Sequence, residues 1–153
     1  VGQQVLAPGA VPDSEKYVAL KKVAMLSELS DMELWDLARA GEWARVPPNT
    51  TIVRENTKGR SFYFIGRGQA KVTMQGRLLN MINEGECFGE MAWIRGGNME
   101  RHATVDSMTE LLVAKFRPEA LAKMEISAQL HLTRALVRNL VDRLDLANTR
   151  LAR

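Results

Sequence analysis

The sequence predicts a mainly β domain flanked by helices, its strands forming an antiparallel sandwich or barrel. Three observations lead there. Helical periodicity marks residues 13–42, alternation takes over after Pro47-Pro48, and a heptad-spaced helix closes the chain. The alternating runs are short, spaced about 8–12 residues apart and separated by glycine turns, the pattern of antiparallel all-β architectures. No long helix lies between them, which disfavours a parallel α/β sheet.

Taken in order, residues Val1–Pro12 carry Gly, Pro and Gln without a period and read as a loose lead-in. Ser14 is a candidate cap for a first helix with Leu20, Val23 and Ala24 at i, i+3, i+4 spacing. Ser30-Asp31-Met32-Glu33 has the form of a capping box and opens a second helix that buries Leu34, Leu37 and Ala38, with Gly41 as its stop. Trp35 and Trp43 read as packing for these helices. The expected strands are Thr50–Arg54, Ser61–Ile65, Gln69–Met74, Arg77–Ile82, Ala103–Ser107 and Glu110–Phe116. Asn56-Thr57-Lys58-Gly59, Gly66-Arg67-Gly68, Gln75-Gly76 and Asn83-Glu84-Gly85 supply turn chemistry between them.

From Pro118 the chain returns to helix. Ile126, Leu130, Thr133, Val137, Leu140, Leu144, Ala147 and Leu151 alternate spacings of four and three, a heptad seam suited to a homodimer through the C-terminal helix. Leu132, Leu136 and Leu146 lie off the seam and are expected to pack the same helix on its own domain. The alternative is a helix buried wholly within its own domain.

Composition limits the function classes. The 153 residues are 46% apolar and 25% charged, which suits one folded domain and excludes a disordered chain or a disulfide scaffold. A net charge of +3 is too mild to point to nucleic acid by itself. The lone cysteine, Cys87, makes no intrachain bridge, favours a reducing cytoplasmic setting and reads as a small core residue. No apolar run is long enough for a membrane span, no signal peptide opens the chain, and Val1 in place of Met suggests a piece of a longer protein. With two scattered histidines (His131 isolated in the last helix) a zinc site is not expected. No P-loop, nucleophile elbow or acid–base pair is present, so no cofactor and no enzymatic activity are expected.

The chemistry concentrates between Glu86 and Val105. Gly89 precedes a short helix-forming piece, Glu90–Ile94, and a glycine opening a helix lets backbone N–H groups approach an anion. Arg101 adds a planar, fixed charge suited to a phosphate diester. Glu90 repels anions but accepts well from hydroxyls such as a ribose 2′-OH. Gly89, Glu90, Ala92 and Arg101 can thus hold a sugar and its phosphate together. Read without further support, Arg101 and Glu90 are equally an internal ion pair or solvated charges. Trp93, inside the short helix, either anchors that helix or covers a pocket, and the anchor is the simpler reading. Asn148 and Thr149 either reach a ligand, from this chain or a partner's, or are exposed polar residues.

Phe88-Gly89-Glu90-Met91-Ala92, followed by Arg101 and then Ala103-Thr104-Val105, resembles the phosphate-binding cassette of cyclic nucleotide-binding domains. Leu26–Ser30 with the following helix is similar to the family's N-terminal helical part, and Tyr63–Val72 to its central strand–turn–strand. Arg143-Leu144-Asp145-Leu146-Ala147-Asn148 resembles the long last helix of the catabolite-activator branch. The resemblance implies a β-roll, a jelly-roll-like barrel, over residues 43–117, between helices at 13–42 and 118–153. It implies Glu90 on the ribose, Arg101 on the cyclic phosphate, amides of Gly89, Glu90 and Ala92 on the same phosphate, and Val72 with the last helix around the purine. Met91, His102, Ala103 and Asn148 complete the expected ligand-binding set, for cAMP or cGMP.

Two departures stand out. The loop Arg95–Met99 lengthens the cassette, and His102 occupies a position where the family usually has a small Ser, Thr or Ala. The imidazole there either bonds the phosphate or crowds the pocket. The implied function is a regulatory sensor that signals through its C-terminal helices. The alternatives are a degenerate dimerisation module and the sensor fragment of a Crp-type regulator. No helix-turn-helix follows the long helix, so this segment is not expected to read DNA itself.

Overall fold

The computed structural model of the chain describes residues 11–96 and 99–152. Residues 1–10 of the expected lead-in, and Gly97 and Asn98 of the cassette loop, lie outside them. Val11 and Pro12, the end of that lead-in, belong to the fold: Val11 is buried in the helical core and Pro12 caps helix α1 (Asp13–Lys21). Ser14 is therefore not the cap. Pro12, extended at φ −66°, takes that place, and Asp13 and Glu15 set negative charge against the positive end of the helix. The helix stops at Lys21, so Val23 reaches the core from the connecting segment and Ala24, opening a short 3-10 turn (Ala24–Leu26), is exposed.

Helix α2 (Asp31–Ala40) starts as its sequence predicts. The Glu33 amide donates to Ser30 Oγ at 3.2 Å, and the Ser30 amide donates to Glu33 Oε1 at 2.9 Å. Leu34, Leu37 and Ala38 are buried, and Gly41 ends the helix.

Eight strands follow, two of which the sequence did not reveal: β1 (Glu42–Val46) and β6 (Cys87–Phe88). The former sits directly behind a helix, and the latter is too short to show a period. The others are β2 (Thr51–Val53), β3 (Phe62–Arg67), β4 (Ala70–Met74), β5 (Arg77–Ile82), β7 (Thr104–Ser107) and β8 (Leu111–Phe116). They form two antiparallel four-stranded sheets, ordered β1-β8-β3-β6 and β2-β7-β4-β5. The arrangement is of the jelly-roll kind, with the sheets packed on one another and not closed into a barrel.

Burial explains the composition of the first sheet. Its inner face supplies Tyr63, Ile65, Val113 and Val46 to the core shared with the second sheet. Its outer face turns Phe62, Phe64, Phe116 and Trp43 toward the helices. Strand β3 is thus buried on both faces, which is why Phe62-Tyr63-Phe64-Ile65 runs apolar without alternating. The rings of Phe62 and Phe116 lie 5.3 Å apart, and the Trp43 indole donates to the Ala38 carbonyl at 2.9 Å, joining β1 to α2.

After α4 (Pro118–Leu121) comes α5 (Ile126–Leu151), which has two unlike halves. Ala128, Leu132, Ala135 and Leu136 bury the first half against the domain. From Val141 onward every described residue is exposed. Leu146 is one of these, contrary to expectation, because the straight helix has left the domain before reaching it. The seam residues Ile126, Leu130, Val137, Leu144 and Leu151 are exposed, and Leu140 is half-buried. Among the described residues, no helix is long and apolar enough to cross a membrane.

The docked half is fixed at Glu33, whose carboxylate lies 3.0 Å from His131 Nδ1. Burial raises the Glu33 carboxyl, but the Ser30 amide, Ser127 and His131 outweigh it and leave the pKa below the ordinary value of 4.5. A carboxyl depressed by folding stabilises the fold above that ordinary value, and the stabilisation is lost as pH falls through the folded one. Melting temperature should therefore drop on acidification below about pH 4.5, and less steeply in Glu33→Gln. At pH 7, Glu33→Gln should cost about 1–3 kcal/mol in urea denaturation, because charged hydrogen bonds become neutral ones.

Candidate functional site

The site is built where β6 ends. Gly89 adopts a left-handed backbone (φ +79°) and turns the chain into helix α3 (Glu90–Arg95). A side chain is excluded there twice, since a Cβ at Gly89 would also lie 2.9 Å from the Arg101 guanidinium. Trp93 faces away from the turn and packs 5.3 Å from the Phe62 ring, so it anchors α3 to the core.

Arg101 reaches the same point from the other side. Its amide donates to the Thr57 carbonyl at 2.7 Å, and its carbonyl accepts from the Asn56 amide at 2.8 Å. The turn expected at Asn56–Gly59 thereby fixes the arginine's backbone. Gly59 leaves room for the side chain, because a Cβ there would stand 2.7 Å from Arg101 Nε. The guanidinium is buried, with Arg101 only 8% exposed. Nη2 donates to the Ser61 carbonyl at 2.7 Å and Nη1 to the Gly89 carbonyl at 3.4 Å. Burial lowers its pKa, partly offset by Tyr63, yet an arginine stays charged under any ordinary condition. No carboxylate of the described residues lies within 4 Å of it.

Glu90 is buried too, at 4% exposed, and its partner is not Arg101. Arg143 Nη1 of α5 stands 3.2 Å from Glu90 Oε2, and Nη2 of the same arginine donates to the Cys87 carbonyl at 3.4 Å. The Cys87 thiol lies 3.6 Å from the carboxylate, and Asn139 Nδ2 lies 3.8 Å from the sulfur. The internal Glu90–Arg101 ion pair is therefore absent. Burial, then the Glu90 charge, push the Cys87 thiol up, so this cysteine is an inert core residue and not a nucleophile.

These groups surround one cavity of about 290 Å3, close to the lower bound for small-molecule sites. Gly89, Glu90, Met91 and Ala92 form one side of it, with Arg101, His102 and Ala103 beside them. Val72, Val53, Ile82 and Val105 form an apolar wall from the second sheet. His102 sits on the exposed rim, makes no hydrogen bond among the described residues, and leaves the cavity open. Of the residues the sequence singles out, Asn148 is not part of it: it lies on the exposed end of α5. The sequence did not mark Arg143 as a site residue. The available signal was its i, i+4 spacing from Asn139, off the apolar seam. Among the described residues, no group of His, Cys, Asp and Glu could hold a metal ion.

The Glu90–Arg143 contact generates a test. Arg143→Ala should destabilise the protein by about 1–3 kcal/mol, because a buried carboxylate loses its charged partner. Glu90→Gln should remove most of that penalty, and a double-mutant cycle on urea unfolding reads the coupling directly.

The sequence pattern of the cyclic nucleotide-binding domain family matches residues 43–125. A cAMP-dependent protein kinase regulatory subunit from Yarrowia lipolytica is 36% identical over 97 residues, 62% of this chain and 25% of that protein. The chain thus spans about a quarter of the length of that curated relative. Among solved structures, a cyclic nucleotide-binding domain from Methylobacillus flagellatus superposes with a TM-score of 0.75 at 18% identity, over 90% of this chain and 81% of that one. The regulatory domain of Toxoplasma gondii PKA, solved with cAMP, gives 0.68 at 23% identity, over 82% and 50% of the two chains. At such identities the superpositions establish the fold. The matched sequence pattern goes further, covering both sheets and the whole of the glycine–arginine cradle, and by it the chain belongs to the cyclic nucleotide-binding domain family.

Proposed function

We propose that this domain binds cAMP in the cavity between the second sheet and α3 and transmits its occupancy through α5. One observation carries the reading: the Arg101 guanidinium is buried against two carbonyls, with no carboxylate of the described residues within 4 Å to neutralise it. An unpaired buried cation is costly, and a bound phosphate diester offsets that cost with a bidentate, charge-assisted contact. A pocket that had lost its ligand would have no reason to keep such a charge. The Glu90 carboxylate would accept from the ribose 2′-OH, and Val72 with its apolar neighbours would cover the purine. The kinase regulatory subunit among the relatives supports cAMP as the nucleotide.

Signal transfer would pass through the Glu90–Arg143 contact. A ribose hydroxyl on Glu90 competes for the same carboxylate that Arg143 engages, so occupancy biases how α5 sits on the cassette. Coupling of this kind requires the ligand to favour one arrangement of the helix over another. The exposed half of α5 would receive a second copy of the chain along its heptad seam, in a reducing cytoplasmic setting that suits the lone, buried Cys87.

Calorimetry should show micromolar or tighter binding of cAMP, and Arg101→Ala should weaken it by about 2–4 kcal/mol, the cost of a buried phosphate left unpaired. A wild-type protein showing neither heat nor a melting shift with cAMP or cGMP would refute the proposal. Assembly is separable from binding. Leu144→Asp, placing a charge on an exposed seam position, should yield a monomer in sedimentation equilibrium while calorimetric affinity stays unchanged.

A further inference from the structure

Strand β8 is apolar along its length except at Lys115. Leu111 and Val113 face the core between the sheets, and strand alternation gives that same inner face to Lys115. The register places Lys115 between Glu42 of β1 and Tyr63 of β3, with Phe88 of β6 beyond Tyr63. In the next row of this face Ala44, Val113 and Ile65 stand abreast, all buried; here the corresponding place carries a half-buried ammonium. Withdrawing a charge from water is costly unless the charge is compensated or used. Glu42, the carboxylate beside it, is already shared, since the Arg117 guanidinium donates to both of its oxygens. Burial and then Arg117 lower the Lys115 pKa, Glu42 opposes them, and Arg101 lowers it further. Arg101 and Lys115 therefore feel one another's charge, and Tyr63, across the strands from Lys115, acts on Arg101 as well. Phe88 closes this row and Gly89 follows it, so the row runs up to the cradle. Lys115 does not itself line the cavity.

Building on the nucleotide-binding reading above, we propose that Lys115 is a positioning residue of the phosphate site, a second interior cation whose charge, acting beside Arg101, strengthens binding of the cyclic phosphate without touching it. In the empty site the two like charges repel through a medium less polarisable than water. An anion seated on Arg101 attracts both, so part of that repulsion is relieved on binding. Arg101 supplies the direct contact, and Lys115 adds attraction at longer range. The other charges facing Lys115 do not supply this effect, because Glu42 and Arg117 neutralise one another. An apolar side chain at this place would continue the core and leave Arg101 to hold the anion alone.

The test is calorimetric titration with cAMP of the wild-type chain, Lys115→Met and Lys115→Arg between about pH 7 and 10, with melting curves to confirm folding. The cyclic phosphate keeps its single negative charge over this range, so a slope in affinity belongs to the protein. A lysine whose proton the ligand favours strengthens binding while it is charged, and the gain is lost as pH rises through its titration. Wild-type affinity should therefore fall by about threefold to tenfold across the range. Lys115→Met should bind about threefold to tenfold more weakly than wild type at the lower pH and lack that fall. Lys115→Arg keeps the charge without titrating, so it should match wild type at the lower pH and hold that affinity throughout. A lysine needed only for packing would weaken binding in Lys115→Met without altering the slope. If either variant keeps the wild-type pH profile, or Lys115→Met matches wild-type affinity at the lower pH, the assignment of Lys115 is overturned while nucleotide binding stands. If Lys115→Met does not fold, the slope of Lys115→Arg decides alone. Absence of cAMP binding by the wild type overturns both.

Discussion

A permanently charged guanidinium, almost fully withdrawn from water and held by the Ser61 and Gly89 carbonyls, is the constraint around which the rest of the cradle is arranged. Two glycines clear the volume it occupies, one from the turn before β3 and one at the entry to α3. Backbone bonds to Thr57 and Asn56 hold its Cα while the side chain reaches across. Three distant stretches of chain therefore meet at one cation, and their arrangement requires both sheets to be folded. Carbonyl oxygens orient the guanidinium without cancelling its charge. That leaves a directed positive centre beside a cavity, which is what recognition of a phosphate diester demands.

The second carboxylate–guanidinium relation works differently. Glu90 is buried and already has a cation, but that cation belongs to α5. The cassette and the long helix are thus joined through a group that also faces the cavity. Glu33 performs the matching task lower on the same helix, holding His131 at the start of the docked half. Between these contacts Leu132 and Leu136 are buried; beyond Arg143 the helix stands free with its seam exposed. A helix tied at one end to the fold and near its middle to the site is suited to report what the site contains.

Much of the architecture was legible in the chain. The capping box at Ser30 and Glu33, the strand positions and the glycine turns are local, since their physics lies within a few residues. Strand β1 was hidden because Glu42–Val46 follows a helix without a break, and β6 because two residues carry no period. Ser14 misled because a polar cap residue is a preference only, and extended Pro12 served as well. Leu146 misled because the heptad pattern does not say where a helix leaves its domain.

The same division holds at the site. The order Gly89, Glu90, Ala92, Arg101 is a sequence fact, and the residue types are ones that can form an anion cradle with a hydroxyl acceptor beside it. Which carboxylate meets which guanidinium is not local, because Glu90 and Arg143 are 53 residues apart and Arg101 and Ser61 are 40 apart. Nor could the strand sequence place both Leu79 and Asn80 on the cavity wall, since the register shift between β4 and β5 that allows it is a property of two paired strands. Local backbone preference and periodicity were determined by the sequence alone. Charge pairing, burial and the aim of side chains into a shared cavity were decided only when distant segments were packed together, because each depends on what the rest of the chain excludes from water.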